Sequence, residues 1–202
     1  MYTARMETAR YVIALLTIIS FPPLLLFWFL IHPFVGLWRR AGLVVTYTVT
    51  LALLAAIDTA TYLLRDRVLA VDFDTNPWLV AAGVAMMIVA TTVDTYCKHL
   101  LKPNILVGLP ELRPGAGAGR LLQEGAYAWV RHPRYLAGGL IALSIALLAN
   151  YLATWVLAVV CMPVLYVVTL VEEQELVNRF GEEYRVYQRY VPRLIPRSPP
   201  SR

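Results

Sequence analysis

From Tyr135 to Val171 the chain runs 37 residues without a charge. A bilayer core takes about 20 apolar residues per helix. The run is therefore too long for one span and suits two. Asn150, near its middle, marks a tight helical hairpin, and Gly138 and Gly139 permit close helix approach. Three further apolar runs precede it, at about 11–31, 42–64 and 78–97. Hydrophobic residues make up 59% of the chain and charged ones 15%, against about 25% charged in soluble domains. The expected fold is all-α: a polytopic membrane helix bundle of about five transmembrane helices, the hairpin supplying 134–149 and 151–171. The first run is too long, and too poor in a small-residue cleavage site, for a signal peptide. Pro22-Pro23 should kink it, and it can continue in kinked form to Trp38.

Five spans put the two termini on opposite faces. One face then holds four basic residues, Arg5, Arg10, Arg65 and Arg67, and the other holds fourteen. The positive-inside rule places the N-terminus outside and the C-terminus in the cytoplasm of a multi-pass protein, expected in the cell (inner) membrane. The expected organisation is one integral membrane domain over 1–202. Its parts are three spans (1–97), a cytoplasmic loop (98–133), the hairpin (134–171), and a cytoplasmic C-terminal amphipathic helix and tail (172–196). The net charge of +5 follows from loop bias, so no nucleic-acid partner is implied. Cys97 and Cys161 sit in apolar runs, and His32, His99 and His132 are scattered, so neither a disulfide framework nor a metal site is expected.

Polarity gathers at RHPR, residues 131–134, just before the hairpin. Pro133 suits a first helical position, which makes His132 the cap. Helix-start amides attract anions, and Arg131 adds a fork that grips a carboxylate with two bonds. The plain alternative is that Arg131 and Arg134 are interfacial anchors whose stems lie in lipid. Glu172 and Glu173 leave the fifth span on the same face, where they can meet Arg131 and His132. That contact is either a structural ion pair or part of a binding site. Val177, Phe180, Tyr184, Tyr187 and Val191 fall on one helical face. For Tyr184 and Tyr187, core packing, interface anchoring and ligand contact all remain open.

The glycine-rich stretch Pro114 to Arg120 lacks the strand–helix context of a phosphate loop and suits a hinge or lid. Asp94 and Lys98 are a helical pair. Asp58 lies within the second run with Arg65 as a possible partner. Acids at that depth are functional candidates, but no paired broken helices support transport.

The run LLQEGAYAWVRHPRYLAG, then the uncharged hairpin, then EExxLxxxFGEEYxxYxxxVPRLIP, resembles the isoprenylcysteine carboxyl methyltransferase family over about residues 121–196. The family is grouped with the membrane phospholipid methyltransferases. The resemblance implies an integral membrane enzyme that uses S-adenosylmethionine, releases S-adenosylhomocysteine, and methylates a lipophilic or lipid-linked acceptor among membrane lipids. It implies Arg131 and Glu173 nearest the chemistry. It implies cofactor contacts from His132, Tyr135, Glu172, Tyr184, Tyr187, Gly125 and Tyr127. The competing expectations are a phospholipid N-methyltransferase and a non-enzymatic membrane binding or scaffold protein.

Overall fold

The computed structural model describes residues 2–31, 34–101 and 120–196. Eight α-helices are present among these residues: α1 (Tyr2–Ile31), α2 (Val35–Ala41), α3 (Leu43–Leu63), α4 (Arg65–Val68), α5 (Pro77–Leu100), α6 (Pro133–Ala149), α7 (Leu152–Phe180) and α8 (Glu182–Tyr190). The described residues contain no named strand, and their regular structure is all-helical. Three helices, α3, α5 and α7, are long and apolar enough to cross a membrane, and α6 is a shorter apolar helix of 17 residues.

The local sequence accounts for most of the boundaries. Asn76 caps α5 by accepting from the Trp78 and Leu79 amides at 3.0 and 3.3 Å, with Pro77 in the first helical position. Gly42, at φ 84°, separates α2 from α3. Trp38 lies in helix α2 and donates to the Leu30 carbonyl at 2.7 Å; the junction that would carry the expected kinked continuation to Trp38 includes residues 32 and 33, outside the described residues. Helix α1 runs through Pro22-Pro23 with helical assignment throughout. Its His32-Pro33 continuation lies outside the described residues, as does the glycine-rich stretch 114–119.

Asn150 closes the α6–α7 hairpin in the left-handed conformation, φ 55° and ψ 42°. Its side chain donates to the Phe73 and Asp74 carbonyls at 3.2 and 2.9 Å and accepts from Trp155 Nε1 at 3.0 Å. That short polar side chain makes the conformation tolerable and also pins the α4–α5 connection to the turn. Arg10 reaches the same end of the bundle. It is buried, donates to Ala149 O at 3.0 Å and Thr75 Oγ1 at 3.1 Å, and pairs with Asp72. An arginine taken by sequence for a loop charge is a buried tie between α1, the connection and the hairpin.

Helix α6 packs most extensively against α5 and next against α7. Its buried positions are small: Ala137, Gly139, Ala142, Ser144, Ala146 and Ala149. A Cβ on Gly139 would stand 2.9 Å from Met162 Cε, and one on Gly83 of α5 would stand 3.0 Å from the Ser144 carbonyl oxygen. Gly138 has only Leu165 Cδ1 at 4.0 Å. Close approach thus rests on Gly139, as expected, and on Gly83, which periodicity alone did not single out; Gly138 takes no part.

The expected single C-terminal helix is divided. Helix α7 continues nine residues past Val171 to Phe180, Gly181 breaks the chain at φ 59°, and α8 follows. Val177 and Phe180 therefore belong to α7, while Tyr184 and Tyr187 are the buried residues of α8.

Candidate functional site

Three stretches converge where α6 begins: the approach 120–132, the end of α7, and the C-terminal segment from α8 to Pro196. Pro133 sits at the first helical position of α6 with His132 as the cap residue, and the His132 side chain takes none of the first-turn amides. Those amides have no intrahelical acceptor, so the helix mouth keeps its positive end. The turn Gly125–Ala128 precedes it. Gly125 has φ 61°, which favours glycine, and a Cβ there would push aside the Tyr96 hydroxyl of α5.

Glu173, 4% exposed, is the hub. Arg131 donates to its Oε1 from Nε at 2.9 Å, with Nη2 at 2.8 Å. His132 Nε2 meets the same oxygen at 3.1 Å. Arg193 grips both oxygens, Nε to Oε1 at 3.0 Å and Nη2 to Oε2 at 2.7 Å, and Gln188 donates to Oε2 at 3.1 Å. The remaining Arg131 nitrogen, Nη1, donates to the Gln188 and Val191 carbonyls at 2.9 and 2.7 Å. A buried carboxylate is tolerable only with such compensation, and here four side chains, from the approach and from the C-terminal segment, supply it. The main chain adds two bonds: the Arg131 and His132 amides donate to the Pro192 and Arg193 carbonyls at 2.8 and 3.0 Å.

Glu172 is situated differently. Its side chain is 29% exposed, against 5% for Glu173, and its Oε2 lies 3.6 Å from His132 Nδ1. Both imidazole nitrogens thus face carboxylate oxygens. Burial pushes His132 toward the neutral form, but the bonds and charges of Glu172 and Glu173 outweigh it and raise its pKa above the usual value. The ring is therefore biased toward the cation.

Aromatic side chains line the rest. The Tyr135 ring centroid lies 5.6 Å from that of His132. Tyr187 donates to the Tyr127 carbonyl at 2.6 Å, which docks α8 on the Gly125–Ala128 turn. Tyr184 is 1% exposed, packs edge-on to Tyr187, and its hydroxyl is buried with no hydrogen-bond partner. Burial pushes the Tyr127, Tyr184 and Tyr187 phenols well above their usual range, so all three are neutral donors.

Eight of the nine residues singled out from sequence thus lie along these three converging stretches, and Tyr135 lies in the first turn of α6. Arg193 and Gln188, which complete the Glu173 shell, were missed. The signal available was the PRLIP motif, whose arginine had no visible partner. Outside the site, Asp94 pairs with Lys98 at 2.5 Å as expected and also with Arg134 at 3.7 Å, tying α5 to α6. The possible Asp58–Arg65 pair does not form: Arg65 donates to the Tyr62 carbonyl and lies 3.7 Å from Asp66, while Asp58 Oδ1 is buried without a partner. The helix carrying Asp58 ends at Leu63 and Arg65 opens α4, so the two positions do not share one helix.

No solved structure matches the chain. A protein-S-isoprenylcysteine O-methyltransferase from Schizosaccharomyces pombe is 36% identical over 80 residues, 39% of this chain. The match spans about a third of that relative, 34% of its length. The sequence model of the phospholipid methyltransferase family matches residues 78–183, which contain α5, the site approach, both helices of the hairpin and the start of α8. With just over half of its length matched, the chain belongs to the phospholipid methyltransferase family.

Proposed function

We propose that this protein is an integral membrane methyltransferase that takes its methyl group from S-adenosylmethionine and acts on a lipophilic acceptor. The observation that carries the reading is the contrast inside the cluster: Glu173 is saturated, whereas Glu172 keeps accessible surface and the buried Tyr184 hydroxyl has no partner. A buried hydroxyl without a partner costs about 1–3 kcal/mol, and a ligand oxygen or nitrogen would relieve it.

The donor set fits S-adenosylmethionine. The α6 mouth suits its carboxylate. Glu172 suits its ammonium or ribose hydroxyls, and Tyr184 donates or accepts one further bond. The faces of Tyr127, Tyr135 and Tyr187, beside the Gly125 turn, suit the adenine or the sulfonium. The bound donor supplies an activated methyl group for in-line displacement. The residues hold donor and acceptor aligned at about 3–3.5 Å and exclude water. Arg131 and Glu173 act by fixing the helix mouth and the C-terminal segment. An acceptor such as a carboxylate needs no deprotonation and so no general base.

The five-span arrangement belongs to the same reading, with α1 and α6 crossing beside α3, α5 and α7 and the site on the cytoplasmic face. It is supported by the fourteen-to-four division of basic residues. A second reading, N-methylation of a phospholipid amine, is suggested by the name of the matching family and stands as the alternative. Calorimetric titration of detergent-purified protein with S-adenosylmethionine and S-adenosylhomocysteine tests the donor. Labelled methyl transfer to a prenylated cysteine and to a phosphatidylethanolamine separates the acceptors. A folded protein that binds neither donor nor product sinks the enzyme reading and leaves a membrane scaffold.

A further inference from the structure

Arg193 touches the cap residue of α6 in two ways. Its carbonyl accepts the His132 amide at 3.0 Å, and its guanidinium shares Glu173 Oε1 with the His132 ring. The two Glu173 oxygens are not held alike. Arg131 and His132 both use Oε1, and only Arg193 and Gln188 hold Oε2. Without the Arg193 fork Gln188 alone holds Oε2, and the carboxylate plane is less firmly fixed about its last torsion. The fork is itself braced, since the Arg193 guanidinium carbon lies 5.1 Å from the Tyr166 ring centroid on α7.

We propose that Arg193 is a positioning residue of this site: through the shared Glu173 carboxylate it orients the His132 ring and the Arg131 guanidinium at the mouth of α6. The inference rests on the donor-site reading above for its effect on binding, but not for its effect on His132. The segment Val191–Pro196 becomes a strap whose fastening sets the geometry of the site. Gln188 and the main-chain bonds hold the strap in place, and Arg193 sets the angle of the carboxylate.

The charged groups facing the His132 ring are Glu172 and Glu173 from α7, Arg131 beside it in the chain, and Arg193 through the shared oxygen. Removing Arg193 takes a cation from Glu173 and leaves more of its charge to the ring. The test uses the full chain in detergent with labelled histidine Cε1, titrated by NMR without ligand, in wild type, Arg193→Gln and Arg193→Lys. His132→Gln assigns the signal. In Arg193→Gln the His132 midpoint should rise by about 0.5 pH unit or more, and affinity for S-adenosylmethionine should fall about tenfold. Arg193→Lys, which restores the charge but not the fork, should return the midpoint while recovering only part of the affinity.

A His132 signal unmoved in Arg193→Gln overturns the proposal, whether or not melting temperature or affinity drops, because a purely structural brace would lower both without retuning the ring. Wild type that fails to bind S-adenosylmethionine, with the His132 midpoint still moving in Arg193→Gln, sinks the donor reading and leaves the positioning role standing.

Discussion

Glu172 and Glu173 are neighbours in the chain and opposites in the structure. Glu173 accepts from Arg131, His132, Arg193 and Gln188, while Glu172 stands 3.6 Å from the far side of the same imidazole with its side chain 29% exposed. Adjacent helical residues point about 100° apart, so one turns into the bundle and the other toward the mouth of α6. One carboxylate holds the site together, and in the proposed reading the other meets the ligand.

Substitution should separate these roles. Glu173→Gln leaves two buried or half-buried guanidinium groups short of a counter-charge and should cost about 3 kcal/mol or more of stability. Glu172→Gln should change stability by less than about 0.5 kcal/mol yet weaken S-adenosylmethionine binding about tenfold. Thermal unfolding in detergent paired with calorimetry checks both, and equal losses of stability in the two variants would refute the division.

The His132 cation gives stability a pH dependence of definite sign. Its folded pKa is raised above the unfolded value, which is about 6.5. The stabilisation is therefore fully present below about pH 6.5 and is lost as pH rises through the raised folded value. Melting temperature should decline across that window in wild type and be flatter in His132→Gln. A melting temperature that rises with pH there would contradict the assigned charge.

At the opposite end of the bundle, Arg10→Leu removes the bonds to Ala149 and Thr75 and leaves Asp72 without its partner. A loss of about 2–4 kcal/mol is expected. Donor affinity at 25 °C should stay within twofold, because this tie lies at the Asn150 end of the hairpin and the site at the Pro133 end. An affinity loss in a folded variant would show that the two ends are coupled.

Three glycines rank the helix contacts. Gly83→Ala should cost about 1–3 kcal/mol, since its new carbon meets the Ser144 backbone oxygen at 3.0 Å. Gly139→Ala should cost less, because it meets the flexible end of Met162 at 2.9 Å. Gly138→Ala should be neutral or slightly stabilising, with open space to 4.0 Å. Unfolding midpoints of the three variants test the order.

What could be seen in the sequence was local. The Asn150 turn, the apolar helices around it and the meeting of Glu172 and Glu173 with Arg131 and His132 all follow from runs, caps and the geometry of one hairpin. What could not be seen was joined across long separations. Arg10 and Asp72 look like loop charges until the bundle closes over them. Arg193 looks like one tail arginine among six, because its partner is fixed only when the chain doubles back at Gly181. That glycine, which divides the C-terminal helix, has open space around it, and its meaning lies in its positive φ.

The 17-residue α6 is about 25 Å long, shorter than a hydrocarbon core of about 30 Å. Its partner α7 runs seven residues beyond Glu173 to Phe180, about 10 Å further along the axis. The cluster around His132 is therefore recessed below the rim that α7 raises beside it. With α6 crossing the membrane as proposed, this mismatch favours local thinning of the bilayer around it, which lowers the lipid headgroups toward the recess. The proposed lipophilic acceptor would then present its polar end at that depth while its chains stay in the hydrocarbon.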